Sequence, residues 1–452
     1  MRRSLLCLAL VSTLSLGATT SARSAEVGVV TDLTWGTSNT DQDRTISAIR
    51  NAGATWVRLS IQWKNIEQVL PGVYDVWWLA HVDRAIELSN AAGLNVLMMV
   101  YDAPAWASGS TQRSTPRNPA DYASFMSFVA NRYRGRIQAY EIWNEQNTER
   151  FWTSPSAEAY TRLLQAAYPA VKMADPAATV VFGGLSTSDY AFVESAYAAG
   201  VRGSFDAMAV HPYTYCGTGA PDELRRSGNG RITRDSFLGY REVRASMLAR
   251  SDDKPLWITE FGWNTSTARC DPASGSWQGG VSESLQASYT ARAYSLLAAN
   301  AYLGPAFVYN FRNNYWEFDA DTPEARYGLV RSDFSAKPAL DALRAAAGAT
   351  TTDPPPPPAP IEAPSVTLTS PTNGTATNGS LTLAATASAD GGVARVVFAV
   401  DGTVIREDTE APYDFRWMAF RHLSAGQYVI EARAYDRAGR VATDSASVTR
   451  LP

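Results

Sequence analysis

The chain has 452 residues, a formal net charge of −4 and 19% charged residues, a length that suits two domains better than one. An acidic balance of this kind gives no electrostatic reason to bind nucleic acid or anionic lipid. With three histidines in all (His81, His211, His422) and no His-Glu-x-x-His or zinc-type cysteine spacing, the composition argues against a metallohydrolase, and no cofactor or metal is expected. No Gly-x-Ser-x-Gly elbow and no Walker-type loop occur, which argues against a serine esterase and a nucleotide-binding enzyme.

The chain opens with Met1-Arg2-Arg3, an apolar run from Leu5 to Leu16 and small residues from Ala22 to Ala25. That is the layout of a secretory signal covering residues 1–25, with cleavage after Ala22 or Ala25. The run is too short to span a bilayer, and no later stretch is long and apolar enough. The mature protein is therefore expected to be exported, extracellular or periplasmic, and monomeric. Losing Arg2, Arg3 and Arg23 with no acidic residue takes the net charge from −4 to −7. Cys7 leaves with the signal, and Cys216 and Cys270 remain. In an oxidising compartment a disulfide between them is expected, the alternative being two free thiols.

From residue 26 to 348, short β-branched or aromatic runs alternate with longer helical-period segments. Strands are predicted at 27–33, 55–63, 95–103, 137–144, 179–185, 205–211, 255–261 and 304–311. Helices are predicted at 43–52, 77–92, 121–134, 157–174, 189–199, 234–250, 282–301 and 335–347. Ala52-Gly53, Ala92-Gly93 and Ala199-Gly200 supply stop signals, while Pro119-Ala-Asp121 and Ser154-Pro-Ser156 supply starts. Near-continuous apolar strands argue for a parallel sheet buried on both faces, and eight such units close most simply into a (β/α)8 TIM barrel of the α/β class. An open doubly wound sheet is the alternative, but no glycine-rich phosphate loop follows the first strand.

Residues 349–364 include five consecutive prolines, Pro354 to Pro358, and read as an extended, semi-rigid linker. Beyond it, residues 365–452 carry alternating runs at Val366–Thr369, Leu381–Ala387, Ala394–Val400, Tyr428–Tyr435 and Thr443–Val448, broken by Asn373-Gly374, Asn378-Gly379 and Asp401-Gly402. About seven short strands in so few residues predict a small β-sandwich. Its aromatics, Phe398, Phe415, Trp417, Tyr428 and Tyr435, mostly fall within alternating runs where core packing is expected. That favours a spacer or structural module over a carbohydrate-binding one.

A parallel barrel places active groups at the carboxyl ends of its strands. Tyr140-Glu-Ile-Trp-Asn-Glu-Gln-Asn147 puts Glu145 at the end of strand four, and Trp257-Ile-Thr-Glu-Phe-Gly-Trp263 puts Glu260 near the end of strand seven. By alternation Glu145 is expected to share a face with Glu141 and Trp143. Other strand ends bring Arg58, Asp102 with Trp106, His211 with Tyr213, and Tyr309 to Trp316 to the same mouth. Two carboxylates delivered into an aromatic pocket are the equipment for cleaving a glycosidic bond. Either glutamate alone is as readily a structural ion-pair partner, Arg58 a neutraliser of Glu141, and His211 a satisfied core histidine.

On Trp143-Asn-Glu145, Thr259-Glu-Phe-Gly262, His211-Pro-Tyr213 and Arg58 within Trp56-Val-Arg-Leu59, residues 26–348 resemble a clan A retaining glycoside hydrolase. The ending Tyr327-Gly-Leu-Val330 with Lys337-Pro-Ala-Leu340 is most similar to family 39, with family 5 second. Gly426-Gln-Tyr-Val-Ile-Glu-Ala-Arg-Ala-Tyr-Asp-Arg-Ala-Gly439 resembles the closing strands of bacterial immunoglobulin-like modules.

The resemblance implies that Glu145 is the acid/base and Glu260 the nucleophile, kept ionised by Arg58 and a Tyr213 hydrogen bond. It implies that Asn144 meets the sugar 2-hydroxyl. Trp106, Trp263 and Trp316 are expected as stacking platforms, although tryptophans are more often packing than platform; Asp102 is expected as a substrate hydrogen-bond partner. Cys216 and Cys270 would tie the loops after strands six and seven. The expected activity is retaining hydrolysis of a polysaccharide, endo-acting, with an exo-glycosidase or a non-catalytic carbohydrate-binding barrel as alternatives.

Overall fold

The computed structural model describes residues 26–34, 37–110, 114–268, 280–314, 321–349, 364–389, 393–409, 411–436 and 441–452. Eight parallel strands form the first unit: β1 (Val27–Val30), β2 (Trp56–Gln62), β3 (Asn95–Tyr101), β4 (Ala139–Ile142), β5 (Thr179–Phe182), β6 (Met208–His211), β7 (Leu256–Phe261) and β8 (Leu303–Val308). β1 pairs with both β2 and β8, so the first and last strands are neighbours. The ring closes between β5 and β6, where Phe182 N–H donates to Ala207 O at 2.9 Å and Asp206 N–H to Val180 O at 2.7 Å. A two-residue strand, Leu185–Ser186, continues from β5 and pairs with β6. This is the (β/α)8 barrel that the alternating pattern predicts.

The strands are apolar on both faces because each face meets a different core. Inward side chains such as Val30, Leu97, Ala139, Val181, Ala209 and Phe307 pack on one another, filling the barrel as layered side chains do. Outward ones pack beneath the helices Asn39–Asn51, Val76–Ala91, Pro119–Arg132, Ala157–Ala174, Tyr190–Ala198, Tyr240–Leu248, Glu283–Ala298 and Pro338–Ala346. Helix starts follow local chemistry. Asn118 caps the helix that has Pro119 in its first turn, and Ser156 accepts from Ala159 N–H. Gly53 stands just past a helix end at φ +81°, where a side chain would be strained.

Two short helices stand between these strands and the main helices: Trp63–Ile66 follows β2 directly, and Ala105–Ser108 lies shortly after β3. They are too brief for periodicity to reveal. The segment predicted as helix over 234–250 is helical only from Phe237, and its first turn, to Gly239, is a 3₁₀ turn. No helix among the described residues is long and apolar enough to cross a membrane.

The second unit comprises a three-stranded sheet (Ser365–Ser370, Leu381–Ser388, Tyr413–Trp417) and a five-stranded one (Thr375–Thr377, Val441–Arg450, Gly426–Asp436, Val393–Val400, Thr403–Asp408). Leu383, Phe398, Phe420, Ile430 and Val448 form its core. Thr375–Thr377, Thr403–Asp408 and Tyr413–Trp417 stand at sheet edges with largely exposed or half-buried side chains. Thr375–Thr377 and Thr403–Asp408 lack a continuous apolar face and escape a search for alternating runs, whereas Tyr413–Trp417 turns Tyr413, Phe415 and Trp417 onto the core. Phe415, Trp417 and Tyr428 pack against the core, and Arg395 covers the Tyr435 ring at 4.5 Å.

Candidate active site

The site is organised around one buried guanidinium. Arg58, 2% exposed on β2, donates from Nε to Glu141 Oε2 and from Nη1 to Glu260 Oε1, both at 2.6 Å. Its Nη2 donates to Asn144 Oδ1 at 2.9 Å. One planar fork therefore sets three side chains from β4, β7 and the turn after β4, a geometry a lysine lacks. Burial works against the Arg58 charge, but the Glu141 and Glu260 carboxylates override it and hold its pKa above the usual range. Arg58 neutralises Glu141 and also contacts Glu260, so its two sequence-level readings are not exclusive.

Glu141 also accepts from Gly184 N–H at 2.9 Å and Thr259 Oγ at 2.8 Å. Burial pushes its carboxyl up, yet Arg58 and then His211 bring its pKa down to about 2. It is an anion at neutral pH that orders the layer beneath the mouth. Gly184 must be a glycine here, because a Cβ would stand 2.1 Å from His211 Nε2.

β4 ends at Ile142, and Trp143 (φ 73°) and Glu145 (φ 43°) adopt left-handed backbone. Such conformations cost about 1–3 kcal/mol each and gather at functional sites. They also break the strand alternation, which corrects the expected shared face. The Trp143 ring turns away into the core against Tyr122 and Trp152 and donates to Phe151 O. Glu145 is instead aimed by its own N–H, which donates to Gly184 O at 2.9 Å.

Glu145 and Glu260 meet across the mouth, 16% and 12% exposed. A carboxylate oxygen of each, together with a His211 ring nitrogen, lies within a 4.8 Å cluster. Tyr213 donates to Glu260 Oε2 at 2.9 Å, and its ring is boxed edge-on by Tyr309 and Tyr327. Three donor atoms so close could hold a cation on spacing alone. Here Arg58 already occupies Glu260, and a protonated His211 has no lone pair to offer.

His211 Nε2 lies 3.1 Å from Thr259 Oγ, whose proton goes to Glu141, so Nε2 carries a hydrogen. Nδ1 faces Glu145 Oε1 at 3.3 Å, and one proton can be shared between them. Burial alone lowers the His211 pKa, but the Glu260 charge and the contacts to Glu141 and Glu145 raise it to about 9. A folded value above the unfolded 6.5 stabilises the fold fully below pH 6.5 and loses that contribution as pH rises through about 9. The expected loss is about 3 kcal/mol. Lys337, whose pKa burial lowers to about 8, acts in the opposite sense. Urea unfolding of wild type and His211→Phe between pH 6 and 9.5 should show this downward leg in the wild type alone; equal slopes would contradict it.

A cavity of about 350 Å³ opens between Arg58, Asn144, Glu145, Tyr213, Glu260 and Tyr327, with Asp32, Ser60 and Arg150 also on its wall. The structure thus brings together Arg58, Asn144, Glu145, His211, Tyr213 and Glu260. Three sequence expectations are corrected. Asp102 is buried against Lys64 at 2.8 Å and lies outside this wall. Trp106 donates to Glu67 O and packs edge-on to Trp63. Trp263 is 1% exposed and donates to Gly219 O, so neither of its faces is open to a sugar. Trp316 and Cys270 lie outside the described residues; Cys216 is on the cavity wall. Sequence reasoning missed Asp32, although Val-Gly-Val-Val-Thr-Asp32 ends the first strand and the same strand-end rule would have found it.

Two carboxylates facing each other at the carboxyl end of a closed parallel barrel suit the cleavage of a glycosidic bond. Residues 18–300 match the family described as Cellulase (glycosyl hydrolase family 5), and the chain belongs to that family. It is a glycosidase that acts on carbohydrate. Residues 364–432 match the Bacterial Ig domain family. Among solved structures, a family 39 glycoside hydrolase from the gut symbiont Bacteroides cellulosilyticus WH2 is similar at 21% identity and TM-score 0.55, over 88% of this chain and 80% of that one. A monomeric beta-xylosidase from Caulobacter crescentus CB15 is similar at 16% identity and TM-score 0.52, over 91% and 74%. These likenesses are of fold. No curated protein matches.

Proposed function

We propose that the protein is an exported, retaining, endo-acting hydrolase of a polysaccharide. Glu260 attacks the anomeric carbon, while Glu145 protonates the departing oxygen and then takes a proton from the water that releases the sugar. The observation that carries this reading is the Glu145–Glu260 pair, with carboxylate oxygens inside one 4.8 Å cluster. Double displacement wants carboxyls about 5–5.5 Å apart, and inversion needs roughly 6.5–9.5 Å to admit water between them.

The partners of each carboxylate support their different roles. Glu260 has Arg58 and Tyr213 as donors, which favour an anion aimed at carbon. Glu145 has only the His211 ring on its carboxylate among the described residues, a partner with which it can exchange a proton. Asn144, its Oδ1 held by Arg58, keeps its amide hydrogens for the sugar 2-hydroxyl.

Export is supported by the leader-like residues 1–25, and endo action by the appended domain, which we read as a spacer because its aromatics serve its own core. We further propose a monomer with a Cys216–Cys270 disulfide. That pairing is supported by Asn264 Nδ2 donating to Cys216 O at 2.7 Å, which ties the segment leading to Cys270 onto the Cys216 loop.

One experiment tests chemistry and mode together. Proton NMR of the first products from a soluble β-glucan or mannan should show the anomeric configuration of the cleaved bond retained, in oligosaccharides of several lengths. A first-formed product of inverted configuration would overturn the mechanism, and monosaccharide alone would overturn endo action.

A further inference from the structure

Asp32 is an acidic group on the cavity wall that the proposed chemistry does not use. It follows β1, is half-buried, and among the described residues only Ser60 Oγ hydrogen-bonds its carboxylate, at 3.3 Å. The loop around it does not depend on that carboxylate. Thr31 N–H donates to Arg58 O at 3.2 Å and Thr34 Oγ to Ser60 O at 2.8 Å. Thr37 Oγ donates to the Asp32 carbonyl at 3.1 Å. The backbone is thus pinned to β2 on both sides of Asp32, while the carboxylate faces the cavity with acceptor capacity to spare. A rigid backbone under an under-satisfied polar group is how a ligand contact is built. Burial pushes the Asp32 carboxyl above its usual range against the Ser60 hydrogen bond, and the Glu260 charge adds to the push. Hydroxyl donors arriving with a ligand would relieve that.

The place of Asp32 in the ring indicates which part of a substrate it meets. The leaving group must lie beside Glu145, which follows β4. β1 sits between β2 and β8, three strands round from β4, so Asp32 faces the sugar ring being transferred. Charge narrows the chemistry further. Asp32 shares the cavity with Glu145, Glu260 and Glu324. Of the two cations there, Arg58 has its fork filled, and Arg150 stands at 3.7 Å from Glu324. A uronate would bring one more negative charge to this wall.

We infer that Asp32 binds one ring hydroxyl of a neutral glycone sugar and sets specificity for it, an inference that rests on the double-displacement reading above. The test measures kcat and KM for wild type, Asp32→Ala and Asp32→Asn. The substrates are the 4-nitrophenyl glucoside, mannoside and xyloside, the matching disaccharide glycosides, and their 3-deoxy and 4-deoxy glycone analogues. Asp32→Ala should lower kcat/KM on the parent sugars about 100-fold, and removing the bound hydroxyl should cost the wild type a similar factor. On that deoxy analogue the alanine variant should lose no more than about 3-fold further, because the contact is already gone. Asp32→Asn, which keeps an acceptor of the same shape, should recover part of the loss and serves if the alanine variant folds poorly. Equal further losses on every deoxy sugar, or unchanged kinetics in both variants, would overturn the assignment. The anomeric outcome with wild type reads the mechanism separately: inversion with the hydroxyl coupling intact would remove the double-displacement reading and leave the Asp32 contact standing.

Discussion

Replacing Glu260 by glutamine is expected to lower kcat by a factor on the order of 10⁴ or more. The amide keeps the shape and a hydrogen-bond acceptor for Arg58, so binding of the sugar changes much less than turnover. What disappears is the proposed nucleophile. Removing this charge relieves the repulsion with Asp32 and also gives up the ion pair with Arg58, so circular dichroism should show the variant folded before its turnover is compared. The same change carries an internal control. The Glu260 charge is the chief influence holding the His211 pKa up at about 9, so the His211 titration followed by NMR should move to lower pH in Glu260→Gln. Turnover within tenfold of wild type would rule out Glu260 as nucleophile, whatever the titration shows.

Replacing Arg58 by methionine should produce the largest loss of stability, about 3–5 kcal/mol. The cost comes less from the lost hydrogen bonds than from Glu141, left as an anion at 0% exposure with its counter-charge removed. Two further results distinguish that cause from simple loss of packing. Glu141 in the wild type is held near pKa 2, below its ordinary 4.5. Its contribution to stability is therefore present above pH 4.5 and lost as pH falls through about 2. In Arg58→Met that contribution is absent, so the gap between variant and wild type should close as pH falls below 4.5. Adding Glu141→Gln to Arg58→Met should restore part of the stability at neutral pH, since the Glu141 anion left without Arg58 is then gone. Urea unfolding at pH 7 and pH 3 reads all of this. A gap that stays constant with pH would mean that packing, not charge, accounts for the loss.

Much of this architecture was legible in the residues themselves. Strand and helix alternate in the order read from apolar periodicity, because each strand is buried on both faces and each helix on one. Glu145 and Glu260 were legible because a parallel barrel exposes strand ends at one mouth, so chain position alone says what converges. Asp102, Trp106 and Trp263 obey the same positional rule and yet turn elsewhere. Each lies just past a strand end, where the chain leaves the two-residue repeat and local geometry decides direction. Trp143 shows the reason most directly: a left-handed φ of 73° sends its indole outward from a segment that alternation would aim inward.

The sequence by itself determined the barrel, the second β-rich unit and the two glutamates on strands four and seven, because burial patterns and strand ends are local properties of the chain. Only the tertiary structure decided how those glutamates differ. Arg58, Glu141, Thr259 and His211 come from four strands, and no spacing along the chain records that one guanidinium reaches two carboxylates at once. The same closure gave Glu145 a histidine for a partner and left Asp32 facing the cavity, since distances of a few ångströms between distant residues exist only once the ring is closed.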